Sequence, residues 1–202
     1  MVNLSNIYDI FAQKYEDNRA IFNMDEIIEN FASVLKIDKG NLLDLGCGAG
    51  EPFPAFFLRR GWQVTGVDYS KEMLRLAQIY QPQMTTILSD MTLVDFNHNT
   101  FDAVTAIYSI FHIEKEKHNK LFENIYNWLK PNSFFLCTYA CQTYTGMPEF
   151  SGYIEFMGEK LFYSHYDEDT IKQLLQDIGF KIISFDYHLI GGETFLWITV
   201  KK

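Results

Sequence analysis

Residues 41–80, NLLDLGCGAGEPFPAFFLRRGWQVTGVDYSKEMLRLAQIY, constrain the fold more than any other stretch. They read as strand, glycine turn, helix, strand, carboxylate and second helix, which is one nucleotide-binding half of an α/β sheet. Leu42, Leu43 and Leu45 form the short apolar run of a parallel strand covered on both faces, and the run stops at Gly46. Gly46, Cys47, Gly48, Ala49 and Gly50 make a G-x-G-x-G turn, where the main chain can take positive φ and approach a ligand. Pro52 suits the first turn of the next helix, and Arg59 and Arg60 sit at its cation-favouring end before Gly61 closes it. The following strand, 63–67, ends in Asp68, about twenty residues past the turn, where an acid can accept both hydroxyls of a ribose.

Two cofactor classes use this arrangement, and charge separates them. A dinucleotide sets its pyrophosphate at a helix N-terminus, usually with G-x-G-x-x-G spacing. Here the third glycine falls one residue early and Glu51 follows it; that carboxylate repels a pyrophosphate. Asp44 adds negative charge on the same side. A ligand with an ammonium and a sulfonium suits both acids.

LLDLGCGAGEP followed by VTGVDYS resembles the small class I S-adenosylmethionine-dependent methyltransferases. The resemblance continues through Ser89-Asp90-Met91, FDAVTAIYSIFHI, WLKPNSFFL, YSHYDEDTIKQLLQDIGFKI and FLWITVKK, in the family's order over nearly the whole chain. It implies a single-domain Rossmann-like seven-stranded sheet with helices on both faces and a C-terminal antiparallel hairpin. It also implies S-adenosylmethionine as cofactor, held by Tyr15, Asp44, Gly46, Cys47, Gly48, Asp68, Tyr69, Met73, Asp90, Met91, Ala106 and Ile107. In that family the counterpart of Met73 lies against the adenine, where a thioether suits a purine face. The counterpart of Asp90 accepts from the exocyclic amine, and main-chain atoms near Ala106 and Ile107 meet the methionine part.

At 202 residues and 48% hydrophobic, the chain has the material of one globular domain. A formal net charge of −9 without a Lys/Arg cluster argues against a nucleic-acid surface, so a small, uncharged or cationic acceptor is expected. The family's base-methylating members often carry Asn/Asp-Pro-Pro-aromatic after the fourth strand, and this chain has Ser109-Ile110-Phe111-His112 instead. No leader or membrane-spanning run is read, so a cytoplasmic protein is expected, as monomer or homodimer. Three cysteines, Cys47, Cys137 and Cys141, are an odd number without metal spacing and fit reduced thiols; no metal site is expected.

The expected organisation is a helical lid over 1–36, a cofactor core over 41–139, a substrate-covering insertion over 140–166 and a final helix and hairpin over 167–202. In the first segment Ile7, Phe11 and Tyr15 share a helical stripe beside Tyr8. By resemblance its tyrosines close over the cofactor, Tyr15 foremost; plain core packing is the competing account. A stripe over 25–35 is core, and Ser70 is an N-cap for the helix carrying Met73. Strands are expected at 84–88, 101–108 and 133–139, with Lys130-Pro131-Asn132 as a turn. Periodicity breaks down over 140–166, where aromatics crowd in and make the segment too apolar for a solvated linker. Tyr8, Tyr144 and His165 are the expected acceptor contacts. His112 is the catalytic candidate, placed to orient or deprotonate the acceptor, although a histidine before a helix also serves structure alone.

The expected reaction is in-line methyl transfer to a small molecule, which needs alignment and exclusion of water rather than a protein nucleophile. Two rivals remain open on sequence. One is a protein that binds the cofactor or its demethylated product without catalysis. The other is a nicotinamide-dependent oxidoreductase, for which the glycine spacing and a hydride-site pair are missing.

Overall fold

The computed structural model describes residues 8, 9, 12, 16, 21–156 and 158–202. Tyr15, with Ile7 and Phe11, lies outside the described residues. Tyr8, Asp9, Ala12 and Glu16 have helical backbone.

The elements run α1 (Asp25–Leu35), β1 (Asn41–Leu45), α2 (Phe53–Arg59), β2 (Gln63–Asp68), α3 (Lys71–Tyr80), β3 (Thr85–Leu88) and β4 (Phe101–Ala106). They continue with α4 (His118–Trp128), β5 (Leu129–Tyr139), α5 (Gln142–Thr145), β6 (Phe150–Phe156), β7 (Glu159–His165), α6 (Glu168–Ile178), β8 (Lys181–Ile190) and β9 (Glu193–Lys201). Seven strands form one sheet in the order β3-β2-β1-β4-β5-β9-β8. The first five are parallel, whereas β9 runs antiparallel between β5 and β8. Strand order reverses between β1 and β4, so a crevice opens beyond their carboxyl ends.

Burial explains the layers. Leu42, Leu43 and Leu45 are fully buried in β1, as a strand covered on both faces requires. On one face Ile28 and Phe31 of α1, Phe53 and Phe57 of α2, and Leu74 of α3 join Leu42 and Val64 in a core. On the other, Leu121, Phe122 and Ile125 of α4 and Ile171 and Leu175 of α6 pack on Leu43, Val104 and Phe135. The caps form as the sequence suggests: the Ser70 hydroxyl accepts from the Met73 N–H, and Asp167 accepts from the Thr170 N–H at 2.9 Å.

Two segments differ from the sequence expectation. Strand β5 starts at Leu129 rather than 133, because Leu129 pairs with Phe101 and the Lys130-Pro131-Asn132 turn is absorbed as a bulge, with Asn132 at φ 66°. The insertion is regular over much of its length. Strands β6 and β7 form a separate antiparallel hairpin, registered from Phe150 opposite His165 to Phe156 opposite Glu159. Along β6 half-buried and exposed residues alternate, but Gly152 on the inner face and Tyr153 on the outer blur the apolar/polar contrast that marks a half-buried strand in sequence.

Candidate active site

One cavity of about 400 Å³ lies beyond the carboxyl ends of β1, β2 and β4. Its cofactor-side wall is built from main-chain contacts. Gly46 and Cys47 both donate to the Val67 carbonyl, at 2.7 and 3.0 Å, which pins the glycine turn to β2. Gly46 has φ +80°, and a Cβ on it would stand 2.4 Å from the Ser109 Cβ. Ser109 is fixed in turn by donation to the Leu45 carbonyl at 2.7 Å. Here the absence of a side chain lets the turn after β1 touch the segment after β4.

Two acids face the same cavity from neighbouring strands. Asp68 accepts from the Gly48 N–H and the Ser70 N–H, both at 2.9 Å. Asp44, 4% exposed, accepts from the Thr105 hydroxyl at 2.6 Å. Burial pushes the Asp44 carboxyl up to about 7, opposed by the Thr105 bond and reinforced by the charge of Asp68. Burial likewise lifts Asp68 to about 6 against its backbone donors. Such groups are costly to ionise until a cation or several donors meet them. Burial also pushes the Cys47 thiol well above its usual value, so it is no nucleophile.

Cys47, Gly48, Tyr69, Met73, Asp90, Met91 and Ile107 line the same cavity. The Tyr69 hydroxyl is buried with no hydrogen-bond partner among the described residues, and burial keeps it protonated as a donor. Asp90 accepts from the Thr92 N–H and hydroxyl, both at 2.8 Å. Glu51 accepts from the Gln81 amide at 2.7 Å. The Ala106 side chain is fully buried in β4, and the wall begins at Ile107 beside it.

The far wall is aromatic. Tyr8, Tyr108, His112, Tyr153 and Phe162 line it, so the β6–β7 hairpin borders the cavity through Tyr153 and Phe162. His112 Nδ1 is 2.7 Å from the Phe162 carbonyl, which can only accept, so that nitrogen carries the proton. Nε2 is left with a lone pair, 2.9 Å from the Tyr8 hydroxyl. Burial drops the His112 pKa to about 4, so the ring is neutral near pH 7.

Tyr144 and His165 are not brought to this wall. The Tyr144 ring packs 4.4 Å from that of Phe195, and its hydroxyl reaches Glu193 at 3.2 Å. His165 is held by Thr145 at 2.8 Å and the Tyr166 carbonyl at 2.9 Å. Both side chains brace the base of the insertion instead. Tyr108, Tyr153, Phe162 and Ser109 were given no individual role from sequence, although Ser109 opens the segment expected beside the cofactor and Tyr153 and Phe162 fall in the insertion expected to cover the substrate. Tyr108 sits at φ 52°, a backbone strain that sequence does not announce.

S-adenosylmethionine suits this donor and acceptor set. Asp68 and Asp44 offer acceptors for hydroxyls and an ammonium, the unpartnered Tyr69 hydroxyl offers a donor, and the glycine turn leaves room that a Cβ would fill.

A parallel sheet extended by an inserted antiparallel strand, with a cavity walled by a glycine turn and two acids, defines a Rossmann-like methyltransferase. The chain belongs to the class I S-adenosylmethionine-dependent methyltransferases: residues 15–185 match the family described as a methyltransferase domain. It is 30% identical over 164 residues to phosphoethanolamine N-methyltransferase 1 of Triticum aestivum, covering 77% of this chain and 31% of that protein. The chain thus spans about a third of the length of that relative. Among solved structures it resembles an S-adenosylmethionine-dependent methyltransferase of Clostridium acetobutylicum, with TM-score 0.73, 19% identity and coverage of 97% and 99% of the two chains. It also resembles 1,6-didemethyltoxoflavin-N1-methyltransferase of Burkholderia thailandensis, with TM-score 0.74, 19% identity and coverage of 98% and 87%. Among the described residues no helix is long and apolar enough to cross a membrane.

Proposed function

We propose that this chain transfers the methyl group of S-adenosylmethionine to a small-molecule acceptor, as a cytoplasmic monomer or homodimer. The observation that carries the reading is the pair Asp44 and Asp68, buried on adjacent strands and facing one cavity. Names of similar proteins agree in kind: the wheat relative is named for phosphoethanolamine, and the Burkholderia structure holds 1,6-didemethyltoxoflavin with S-adenosylhomocysteine.

The cofactor, when bound, supplies an electrophilic methyl group on a positively charged sulfur. Asp68 orients the ribose, Asp44 attracts the positively charged methionine end, and Asp90 with Met73 and Tyr69 receives the adenine. Ile107, Ser109 and the ring of Tyr8 close the space between this end and the acceptor. A tyrosine face near a sulfonium stabilises it by about 0.5 to 2 kcal/mol. His112, neutral and with Nε2 accepting from the Tyr8 hydroxyl at the cavity wall, orients the acceptor through that pair and takes its proton by way of Tyr8. The β6–β7 hairpin covers the acceptor and excludes water.

Calorimetric titration with S-adenosylmethionine, S-adenosylhomocysteine and NADH tests the cofactor; the first two are expected to bind and NADH is not. Production of S-adenosylhomocysteine with a panel of hydroxyl, thiol and amine acceptors then tests turnover. Binding of NADH alone would sink the proposal.

A further inference from the structure

Strands β4 and β5 stay paired only as far as Ala106 and Cys137, the last residues in their ladder. Just beyond, Ile107, Tyr108 and Ser109 line the cavity. Here the chain leaving β4 bonds to a side chain of β5: the Tyr108 N–H donates to the Thr138 hydroxyl. Thr138 is fully buried, and on its other side it is paired with Trp197 of β9, so two strands fix where that hydroxyl stands.

We propose that Thr138 is a positioning residue for the cofactor: by accepting from the Tyr108 N–H, its hydroxyl aims the Ile107 carbonyl at the methionine end of S-adenosylmethionine. This rests on the placement of that end given above and assigns its support to a side chain buried in β5.

The argument follows one peptide plane. The bond between Ile107 and Tyr108 is trans, so its N–H and its carbonyl point opposite ways. In the sheet β4 lies between β1 and β5. With the Tyr108 N–H directed at β5, the Ile107 carbonyl is directed towards β1, the side of the glycine turn and Asp44. A carbonyl there is an acceptor for the ammonium that Asp44 attracts. An N–H···O bond weakens steeply away from its line, so loss of the hydroxyl frees the plane to rotate and carries the carbonyl off its target.

Backbone conformation makes this support necessary. Tyr108 sits at φ 52°, a left-handed shape that an aromatic residue rarely takes unless its surroundings impose it. That shape turns the chain out of β4 and returns Ser109 to the glycine turn, where it donates to the Leu45 carbonyl at 2.7 Å. The Ser109 carbonyl in turn accepts from the His112 N–H at 3.1 Å. Phe195 and Trp197 meet the Tyr108 ring edge to face at 5.3 and 5.8 Å. Those contacts hold the ring; the Thr138 bond sets the direction of the amide.

The test compares two ligands by calorimetry on the full chain: S-adenosylhomocysteine, and 5′-methylthioadenosine, which has the adenosine without the amino acid. Failure of the unaltered protein to bind S-adenosylhomocysteine overturns the cofactor reading itself. Thr138→Val keeps the shape and removes the acceptor. It should weaken S-adenosylhomocysteine about tenfold, the worth of one hydrogen bond to a charged group, and leave 5′-methylthioadenosine within about twofold. Thr138→Ser keeps the hydroxyl and should return S-adenosylhomocysteine to within about threefold of the unaltered protein. In the empty protein, amide hydrogen exchange should quicken at Tyr108 in Thr138→Val and stay unchanged at Cys47. Phe135→Leu, buried in the same strand, should lower the midpoint of denaturant unfolding without changing the ratio of the two affinities. Should Thr138→Val not fold, Thr138→Cys is read by the same ratio, because a thiol is a poorer acceptor of similar size. Equal weakening of both ligands, or a serine variant as weak as the valine one, overturns the role of Thr138 and leaves the cofactor assignment standing.

Discussion

At the cofactor end of the cavity, position is set by the main chain; at the acceptor end, by side-chain rings. Gly46 and Cys47 bond to the Val67 carbonyl, and Gly48 and Ser70 present their N–H groups to Asp68. At the opposite wall, Phe111 stacks on Tyr163 at 5.1 Å and on Phe195 at 4.9 Å, carrying the turn that holds His112. A wall of backbone bonds admits few alternatives, because each N–H and C=O has one geometry that satisfies it. A wall of packed rings tolerates exchange at modest cost when volume is kept. One end can therefore stay fixed while the other is altered to take different acceptors.

Two glycines of nearly equal dihedral give the sharpest test of that contrast. Gly46 and Gly146 lie at φ +80° and +78°, but an added Cβ meets Ser109 at 2.4 Å in the first case and nothing within 4 Å in the second. Gly146→Ala should cost only the backbone strain, about 1 kcal/mol in denaturant unfolding, with S-adenosylhomocysteine affinity unchanged. Gly46→Ala should cost about 3 kcal/mol or more and abolish measurable affinity. Equal losses from the two would show that the contact with Ser109 sets nothing.

Asp44→Asn is the next largest effect, and it moves function and stability in opposite directions. The buried carboxyl is held up at about 7, so above that pH its charge weighs against the folded empty chain. Removing the charge should raise the stability of the empty protein at pH 8 by about 2 kcal/mol, read by denaturant unfolding. The same change should weaken S-adenosylmethionine binding about a hundredfold, since the counter-charge for the ligand's ammonium is gone. No such stabilisation is expected from changes in the aromatic wall.

The sequence made the first end readable and left the second obscure for a physical reason. A glycine turn, an acid after a strand and an N-cap such as Ser70 are local signals, because each residue type is needed by its own backbone position. Asp44, Asp68, Met73 and Asp90 accordingly face the cavity. The aromatic wall is assembled from distant segments, and nothing near Phe162 in sequence tells that its carbonyl meets His112 Nδ1. Tyr144 and His165 looked like acceptor contacts because they sit in the insertion. Which face of the hairpin looks inward depends on the register of β6 and β7, which turns Tyr153 and Phe162 towards the cavity and His165 away from it, while Tyr144 sits on α5 and packs against Phe195.

Acidity should also separate the ends. With folded-state values raised to about 7 and 6, Asp44 and Asp68 hold protons in the empty cavity that the unfolded chain would release. They therefore favour the folded empty protein at low pH and lose that contribution as pH rises through those values. A cationic ligand requires the ionised forms. Its affinity should fall between pH 7 and 5, by up to about tenfold per pH unit for each group that must ionise. His112 is shifted the other way and stays neutral over this window, so acceptor binding to the loaded protein should change little. His112→Gln should lower kcat about tenfold to a hundredfold without altering S-adenosylhomocysteine affinity. A matching loss of cofactor affinity would place the histidine at the wrong end.

The smallest effect tests independence most directly. Tyr153 is 49% exposed and touches the cavity from the hairpin, with Phe162 as its ring partner. Removing it in Tyr153→Ala leaves no buried polar group unpaired and opens no enclosed hole, so stability should move by no more than about 0.5 kcal/mol. What is lost is one ring from the acceptor wall, worth about 1 kcal/mol, so KM for the acceptor should rise about fivefold. Cofactor affinity should stay constant, because no backbone bond of the glycine turn runs through the hairpin. A loss of S-adenosylhomocysteine affinity as large as the rise in KM would mean that the hairpin and the glycine turn move together, and the division into a fixed end and an exchangeable end would fail.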